Sequence, residues 1–422
     1  MKTDQTILDN GLRVITCEMP HTESVTYGVW AAVGGRHEPK RLAGISHFIE
    51  HMLFKGTVRR TARQIGQEIE SVGGYLNATT TQDHTLYYGA APANYFRRLS
   101  GVLGDMVLSP RFAELDIKRE RSVIGEEILM YEDEPSEMVQ EGLWEDLWPG
   151  HALGRPLTGT LKSIASYGRP EFLDYRARHY HGGNVVVSAA GKVTHAEVVA
   201  RTAALLGELP AGRRRRPTPA PELPKAPRLR TIRRDTQQTH VAFAVPACTL
   251  SDPDRHAVHL LNVLLAGNMS SRLFQDLREK RGLCYTISSG VSLYEDTGVI
   301  HFYVGLDQRN LEKSLTLIGR AFTRLRDEPV PAAELRRAKE FAIGSNRMSL
   351  ERTSAQNSRI GYSALFYGDA TPPEETHDVL RRQTAEDLQR VARRYLDPRQ
   401  LTMTVVGPLD ELSSADLGEL AV

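Results

Sequence analysis

The sequence predicts an α+β fold made of two tandem homologous domains, each with helices packed on a mostly antiparallel sheet. Three observations lead to this prediction: the length of the chain, one break in its composition, and the recurrence of similar segments on either side of that break. With 422 residues and 41% hydrophobic content, the chain exceeds one ordinary core, since domains typically hold ~100 to 200 residues. We therefore expect at least two domains.

The break in composition is the segment LPAGRRRRPTPAPELPKAPRLR, residues 209–230, which is rich in proline and arginine and has no apolar periodicity. Such a segment is typical of an extended linker. It divides the chain into an N-terminal domain over residues 1–208 and a C-terminal domain over residues 231–422. The four consecutive arginines in the linker are of the kind that is usually solvated, so we assign them no nucleic-acid role.

The two halves repeat one succession of elements: strand, strand, helix, helix, two strands, a group of helices, a last strand and a final helix. RHYHGGNVVVSAAGKV and RRYLDPRQLTMTVVGPL both indicate a helix end, a turn, a strand and a glycine. FAELDIKRERSVIGEE and PAAELRRAKEFAIGSN both have the pattern of a long amphipathic helix. YLNATTTQDHTLYYGAAP and YTISSGVSLYEDTGVIHFYVGL both indicate a pair of strands. Because hairpins are mixed with helices, the class is α+β, and a duplication is the simplest origin.

Charge and cysteine content exclude several classes of protein. The 53 Lys and Arg residues nearly balance the 52 Asp and Glu residues, so no net field indicates nucleic acid or an anionic membrane as a partner. Cys17, Cys248 and Cys284 are widely spaced without a CxxC pair, which argues against a disulfide framework and a thiolate zinc site. No apolar run approaches the roughly 18 residues of a spanning helix, and the start has no apolar signal region. We expect a cytoplasmic protein without nucleic-acid or membrane partners, with export by a route that the sequence does not reveal left open.

The run HFIEH is the first indication of chemistry. Gly44 and Gly56 bracket an apolar stretch around it, which is typical of a short helix. Positions four apart share a helix face, so His47 and His51 can point at one metal ion. Glu50 would lie beside them, within reach of a water molecule that the metal activates. The order HxxEH is the signature of inverted zinc peptidases, although ordinary histidines at this spacing by accident remain the alternative.

A catalytic zinc ion needs a third protein ligand and a fourth position open to water. The predicted helix IKRERSVIGEEILMYEDEP offers several carboxylates for this role. Among them, Glu120 and Glu127 are seven residues apart and therefore share one face of the helix.

The second repeat provides an internal control, because a residue needed only for folding should recur in both halves. When the repeats are aligned, the positions of the two histidines, of Glu50 and of Glu127 are taken in the second half by Val258, Asn262, Leu261 and Arg347. The polar set is absent where the fold is repeated. We infer that the fold does not require it.

On these motifs the sequence resembles the pitrilysin/insulysin family of inverted zinc metallopeptidases, and in particular its short-chain, mitochondrial-processing-peptidase-like branch. The resemblance covers nearly the whole chain through GISHFIEHMLFKGT, GGYLNATTT, ERSVIGEEILMYEDEP and, in the second half, SSRLFQDLREKRGLCY, in the family's order. It implies a LuxS/processing-peptidase-like metalloprotease fold and one Zn²⁺ per chain. It also implies His47, His51 and Glu127 as zinc ligands, Glu50 as general base and Glu120 as an assisting glutamate.

The neighbouring Glu126 is a rival for the third ligand, and composition alone does not choose between the two. Spacing favours Glu127, which lies seven residues from Glu120 on a shared face. Glu126 is rotated from it by about 100° around the helix.

Further residues follow from the resemblance. Arg278 and Tyr285 in LREKRGLCY match a pair that, in the family, reaches toward the substrate carbonyl at the zinc; without that pattern they would be a surface arginine and a core tyrosine. Asn77 in YLNATTT matches a family position on the strand that pairs with bound peptide. Cys284 stands where the family more often has a small residue, and we expect a buried thiol there.

These inferences predict a zinc-dependent endopeptidase that cleaves unfolded or short peptides inside an enclosed chamber. The family's long members enclose substrate with four such domains and this chain has two, so we expect a homodimer, with a heterodimer with a related subunit left open. One alternative is a non-catalytic structural or partner subunit of a heteromeric processing peptidase, although such subunits typically lack an intact metal motif. Another is a zinc-stabilised binding module, which would need a closed four-ligand site.

Overall fold

The computed structural model describes residues 1–409. The strands within this range are, in chain order, β1 (Lys2–Ile7), β2 (Arg13–Glu18), β3 (Ser24–Ala31), β4 (Tyr75–Thr80), β5 (Thr85–Pro92), β6 (Val185–Gly191), β7 (Arg228–Arg233), β8 (Thr239–Pro246), β9 (Cys284–Leu293), β10 (Gly298–Leu306) and β11 (Thr402–Gly407).

The helices of the first half of the chain are α1 (Ile45–Leu53), α2 (Ala62–Glu70), α3 (Phe96–Leu108), α4 (Glu114–Asp133), α5 (Pro135–Leu147), α6 (Leu161–Ala165), α7 (Arg169–His179) and α8 (His195–Leu206). Those of the second half are α9 (Arg255–Leu265), α10 (Leu311–Asp327), α11 (Ala332–Ser349), α12 (Thr353–Phe366), α13 (Pro373–Arg382) and α14 (Ala385–Tyr395). Within the described part of the chain, no helix is both long enough and apolar enough to cross a membrane.

The chain forms two compact units that interleave along the sequence. The first unit comprises Met1–Ile128, Pro156–Thr218 and Arg347–Pro372, and the second holds the remaining described residues. The first unit therefore includes α12 from the second half of the sequence, and the second unit includes α5 from the first half. The domain ranges predicted from the repeats, with a linker at 209–230, remain a prediction about the repeats, because compactness divides the chain differently.

Each unit contains one mixed and mostly antiparallel sheet, which confirms the predicted fold class. The strand order is β1-β2-β6-β3-β5-β4 in the first unit and β7-β11-β8-β10-β9 in the second. Only the pairs β2 with β6 and β7 with β11 are parallel among the described strands.

One detail of the element order differs from the prediction, and a second lies outside the described residues. The first half begins with three strands, whereas two were predicted. The additional strand β1 pairs only with β2 at the sheet edge and is largely exposed, so its apolar signal is weak. The final helix predicted for the second half would follow β11 and lies outside the described residues.

The central strands of the first sheet are buried on both faces. One face packs on α1, α3, α7 and α8, and the other packs on α12 through Ile360 and Ala364. A polar link crosses the second contact, since Trp30 Nε1 donates to Ser188 Oγ at 2.7 Å and Ser188 Oγ donates to Asn357 Oδ1 at 2.8 Å. In the second unit α5 packs in the same way on β8 and β11. Each sheet thus has both faces covered. This is expected for strands whose buried side chains point to both faces of the sheet.

We expect Ile360→Ala to destabilise the first unit by about 2–5 kcal/mol, because Ile360 is fully buried and its removal leaves a cavity between α12 and the sheet. Urea unfolding of the metal-free protein measures the change, since bound metal would add its own stabilisation. Ser358→Ala, at an exposed position of the same helix, is the control. An unchanged midpoint for Ile360→Ala would contradict the packing described.

Candidate metal centre

The start of α1 is held by a buried carboxylate. Gly44 precedes the helix with φ 88°, and a Cβ at this position would lie 2.4 Å from the carbonyl oxygen of Thr158, so only glycine fits. The backbone N–H groups of Gly44 and Ser46 donate to the two carboxylate oxygens of Glu38 at 2.7 and 2.8 Å. A carboxylate here satisfies N–H groups that the helix itself leaves unpaired and interacts favourably with the helix dipole. The predicted short helix is confirmed and its orientation is fixed.

His47 and His51 lie one turn apart on the partly exposed side of α1, with ring centroids 4.5 Å apart. The opposite side of the helix, including Phe48 and Ile49, is fully buried in the core. Burial lowers the pKa of His47 to about 4, and the charge of His51 acts in the same direction. At neutral pH the His47 ring is therefore uncharged, as a metal ligand must be.

Glu127 of α4 completes a group of three side chains that could hold a metal ion. One ligand atom from each of His47, His51 and Glu127 lies within 4.8 Å of the others. Glu127 Oε2 is 3.8 Å from His47 Nε2 and 3.9 Å from His51 Nε2. Tetrahedral zinc holds its nitrogen and oxygen ligands about 3.3 Å apart, so small side-chain movements fit this set to the ion.

Two further observations define the group. Within residues 1–409 no other set of three His, Cys, Asp or Glu side chains converges in this way. Glu126, the rival candidate from the sequence, is exposed on α4, whereas Glu127 is half-buried. The chemistry of two imidazoles and one carboxylate is that of catalytic zinc sites with a fourth position left for water.

Glu120 contacts the group through the Nδ1 atom of His51. Its buried carboxylate accepts from His51 Nδ1 at 2.9 Å through Oε1 and pairs with Lys55 Nζ at 2.6 Å through Oε2. Burial alone would raise the pKa of Glu120, but the hydrogen bonds from His51 and Lys55 outweigh burial and lower it. A carboxylate on the far nitrogen of a ligating histidine fixes the ring's tautomer and orientation.

Glu50 lies on α1 beside the histidines and contacts the neighbouring sheet. Thr80 Oγ1 donates to Glu50 Oε2 at 2.5 Å. Burial raises the pKa of Glu50, and the charge of Glu127 adds to this, while the Thr80 hydrogen bond and the charge of His51 oppose it. A raised carboxylate pKa approaches the range in which a general base works near neutral pH.

The strand β4, which carries Asn77, is a terminal strand of the first sheet. The N–H of Thr81 donates to the carbonyl of His84 at 2.8 Å where the β4–β5 hairpin closes. Alternation along an antiparallel ladder then directs the N–H of Ala78 to the free edge. That N–H donates to Asn77 Oδ1 at 2.8 Å, so the Asn77 side chain lies along the free edge.

Arg278 and Tyr285 belong to the second unit, where they pack together. The Arg278 guanidinium carbon is 5.8 Å from the centre of the Tyr285 ring and 4.9 Å from that of Phe274. Tyr285 is 76% exposed, so it is not the core tyrosine that the sequence offered as an alternative. The adjacent Cys284 is a free, buried thiol as predicted, and burial raises its pKa to about 11.

The second half has the corresponding helices without the polar set. Val258, Leu261 and Asn262 lie on α9 and are buried, and Arg347 lies on α11. The two helices therefore form without ligands, as the internal control suggested.

Sequence reasoning missed three residues that support the centre: Glu38, Lys55 and Thr80. Lys55 carries a readable signal, since it follows His51 by four residues. Thr80 carries a weaker one, because alternation along β4 directs it to the α1 side. Glu38 carries none, since its role depends on where a loop of the chain folds back.

Two family models match the chain. Residues 13–161 match the insulinase family, peptidase family M16, and residues 167–341 match the peptidase M16 inactive domain. An uncharacterized zinc protease of Streptomyces coelicolor is 34% identical, with 98% of this chain and 91% of the relative covered. The uncharacterized zinc protease YmxG of Bacillus subtilis is 32% identical, with 96% and 98% covered.

Two solved structures have the same fold. A protease from Helicobacter pylori aligns with a TM-score of 0.90 at 23% identity, covering 96% of this chain and 99% of that one. The peptidase M16 inactive domain from Pseudomonas fluorescens aligns with a TM-score of 0.89 at 20% identity, covering 98% and 99%. At these identities the likeness concerns the fold.

We expect Glu120→Gln to lower zinc affinity about 10- to 100-fold, because His51 loses its charged partner. Competition with a fluorescent zinc chelator measures the dissociation constant. Glu126→Gln, an equivalent change at an exposed position of the same helix, is the matched control and should leave the affinity unchanged. Equal affinities for the two variants would contradict a supporting role for Glu120.

Proposed function

The chain belongs to the insulinase family of zinc proteases, peptidase family M16, and from this membership we propose that it is a zinc-dependent endopeptidase acting on unfolded or short peptides. The observation that carries the proposal is the convergence of His47, His51 and Glu127, with Glu50 beside them. We assign the first three as ligands of one zinc ion per chain. We assign Glu50 as the general base.

The bound zinc would supply Lewis-acid polarisation of the scissile carbonyl and would lower the pKa of a hydrolytic water. Glu50 takes the proton from the attacking water and later passes it to the leaving amine. The raised pKa of Glu50 suits both steps, and the hydrogen bond from Thr80 holds its carboxylate in place. Glu120 acts through His51 by keeping the ring oriented.

Arg278 and Tyr285 are assigned to the substrate carbonyl. Both side chains are donors, and hydrogen bonds to the oxygen that becomes negative in the transition state would lower the barrier. The exposed position of Tyr285 leaves its hydroxyl accessible to such an oxygen.

The free edge of β4 is the proposed binding site of the peptide main chain. An extended peptide can add to an exposed strand through backbone hydrogen bonds, so binding depends on extended shape more than on sequence. The N–H of Ala78 is available for this pairing once the side chain of Asn77 turns away. Thr80 lies on the same strand and contacts Glu50, so a peptide paired here lies next to the base. Folded proteins would not present such a strand.

A non-catalytic partner subunit is the alternative function. The model matched by residues 167–341 is that of an inactive domain, which is compatible with such a role for the second half. His47, His51 and Glu127 all lie within residues 13–161, however, which match the other model. An intact metal group favours the enzyme over the partner subunit. The three-residue group also favours the enzyme over a closed four-ligand binding module.

Two further assignments are proposals. We propose a homodimer, which would enclose the peptide in a chamber built from four domains; a heterodimer with a related subunit is the second possibility. The cytoplasmic location predicted from the sequence remains a prediction.

We expect Glu50→Gln to retain one zinc per chain and to lower kcat about 100- to 10,000-fold, because the change removes the base and leaves every ligand. Metal analysis and cleavage of a quenched fluorescent peptide measure the two quantities. His51→Ala should lose both zinc and activity, and chelation should abolish wild-type cleavage. A zinc-loaded Glu50→Gln protein that cleaves at the wild-type rate would show that another group is the base. Zinc-loaded wild type without any cleavage would favour the partner subunit.

Light scattering during size-exclusion chromatography should give twice the mass of the chain at assay concentration. This follows if two chains are needed to enclose the peptide. A monomer with full peptidase activity would rule out the dimeric chamber.

A further inference from the structure

The first unit contains a cavity on the sheet face opposite α1 that has no part in the reaction proposed above. It measures about 660 Å³ and lies between α12 and the outer face of β3, β5 and β4. We call it the outer groove and define it by six of its lining residues: Trp30, Tyr75, Tyr88, Arg352, Arg359 and Tyr362. Because α12 packs mainly over β2, β3 and β6, the groove is open toward β4.

The outer groove lies next to the proposed peptide-binding edge. Tyr75 and Thr79 of β4 line it, whereas Thr80 turns to the other face and contacts Glu50. Successive side chains of a strand point to opposite faces, and cross-strand neighbours share a face. A peptide added to β4 therefore directs every second side chain to the metal side and the others to the groove side.

The lining of the groove is aromatic and cationic. Tyr75 and Tyr88 meet edge to face with ring centroids 6.3 Å apart. Arg352 and Arg359 contribute two positive charges, and no Asp or Glu is among the described lining residues. A groove of this composition favours a side chain that combines methylene groups with a negative charge.

The two arginines differ in their availability. Arg359 Nε donates to Gln356 Oε1 at 3.0 Å and Arg359 Nη1 donates to the Thr371 carbonyl at 2.8 Å, so this guanidinium is already engaged. Arg352 is exposed and makes no ion pair with any residue of the described chain. The charge of Arg352 also acts on Tyr75. Burial and Tyr88 raise the pKa of Tyr75, and the charge of Arg352 opposes this rise.

Acidic residues lie nearby but outside the groove. Glu23 and Glu351 line an adjoining cavity of about 550 Å³, which shares Tyr75 and Arg352 with the outer groove. The positive charge of Arg352 therefore stands at the junction of the two cavities.

We propose that the outer groove is a specificity subsite that takes an acidic side chain of the peptide substrate, with Arg352 pairing with its carboxylate. The inference rests on the proposed peptidase function, since a peptide paired with β4 is what brings the side chain to the groove. Tyr75 and Tyr88 pack against the methylene groups. Because strand side chains alternate between the two faces, the preference can appear at one position or at two positions separated by one residue, never at adjacent ones.

The test uses short quenched peptides in a neutral host sequence, with Glu, Gln or Lys placed in turn at each position around the scissile bond. The wild type should cleave the Glu peptide with the highest kcat/KM at one position, or at two positions separated by one residue. Arg352→Glu should lower the Glu-to-Lys ratio of kcat/KM there about tenfold, and Arg352→Lys should keep most of it. Arg169→Glu, at an exposed position of α7 in the same unit, makes the same charge change away from the groove and should leave the ratio unchanged.

Binding separates this inference from the proposed function. The same peptides are titrated into the zinc-loaded Glu50→Gln protein, with and without Arg352→Glu, and fluorescence anisotropy gives the dissociation constants. A Glu preference in binding that Arg352→Glu removes would support the groove even if the wild type cleaves nothing, in which case the endopeptidase assignment fails alone. Equal affinities for Glu, Gln and Lys peptides, or a ratio that Arg352→Glu and Arg169→Glu change equally, would overturn the groove.

Discussion

The candidate centre depends on the fixed orientation of one nine-residue helix, α1. Two imidazoles on consecutive turns can address one ion only if the helix neither rotates nor slides. Glu38 holds its first N–H groups, the buried face is packed in the core, and Thr80 reaches Glu50 from the sheet. Glu127 is supplied by α4, a helix whose position depends on the same core. The site is therefore a product of packing as much as of its polar residues.

Much of this arrangement could be predicted from the sequence because it is local. Helical spacing alone puts His47, Glu50 and His51 near one point. Glu127 is distant in the chain, and its choice over Glu126 required a shared helix face and a family resemblance. Lys55, Thr80 and Glu38 were not foreseen. Spacing along the chain offers a signal for Lys55 and a weaker one for Thr80, but the partners of all three are reached only when separate segments meet. Propensity and spacing describe neighbours along the chain and contain little about such meetings.

The fold shows the same division. Strand and helix patterns predicted the class and most of the element order. They did not predict β1, because an exposed edge strand has few apolar positions. The exchange of α5 and α12 between the halves could not be read from the repeats. A hint existed in β6, VVVSAAG, which is buried along its whole length; such a strand needs cover on both faces. The sequence did not say which helix provides the cover.

The hydrogen bond from the Ala78 N–H to Asn77 Oδ1 has a consequence beyond peptide binding. A terminal strand with unpaired amides is a template for any extended polypeptide, including another copy of the same protein, and leads readily to aggregation. The Asn77 carboxamide satisfies one such amide from within the chain. An intruding strand must compete with it, so promiscuous pairing is weakened while a well-placed ligand can still displace a single side chain. Asn77 thus protects the exposed edge of the sheet against unspecific self-association, and a bound peptide can still displace it.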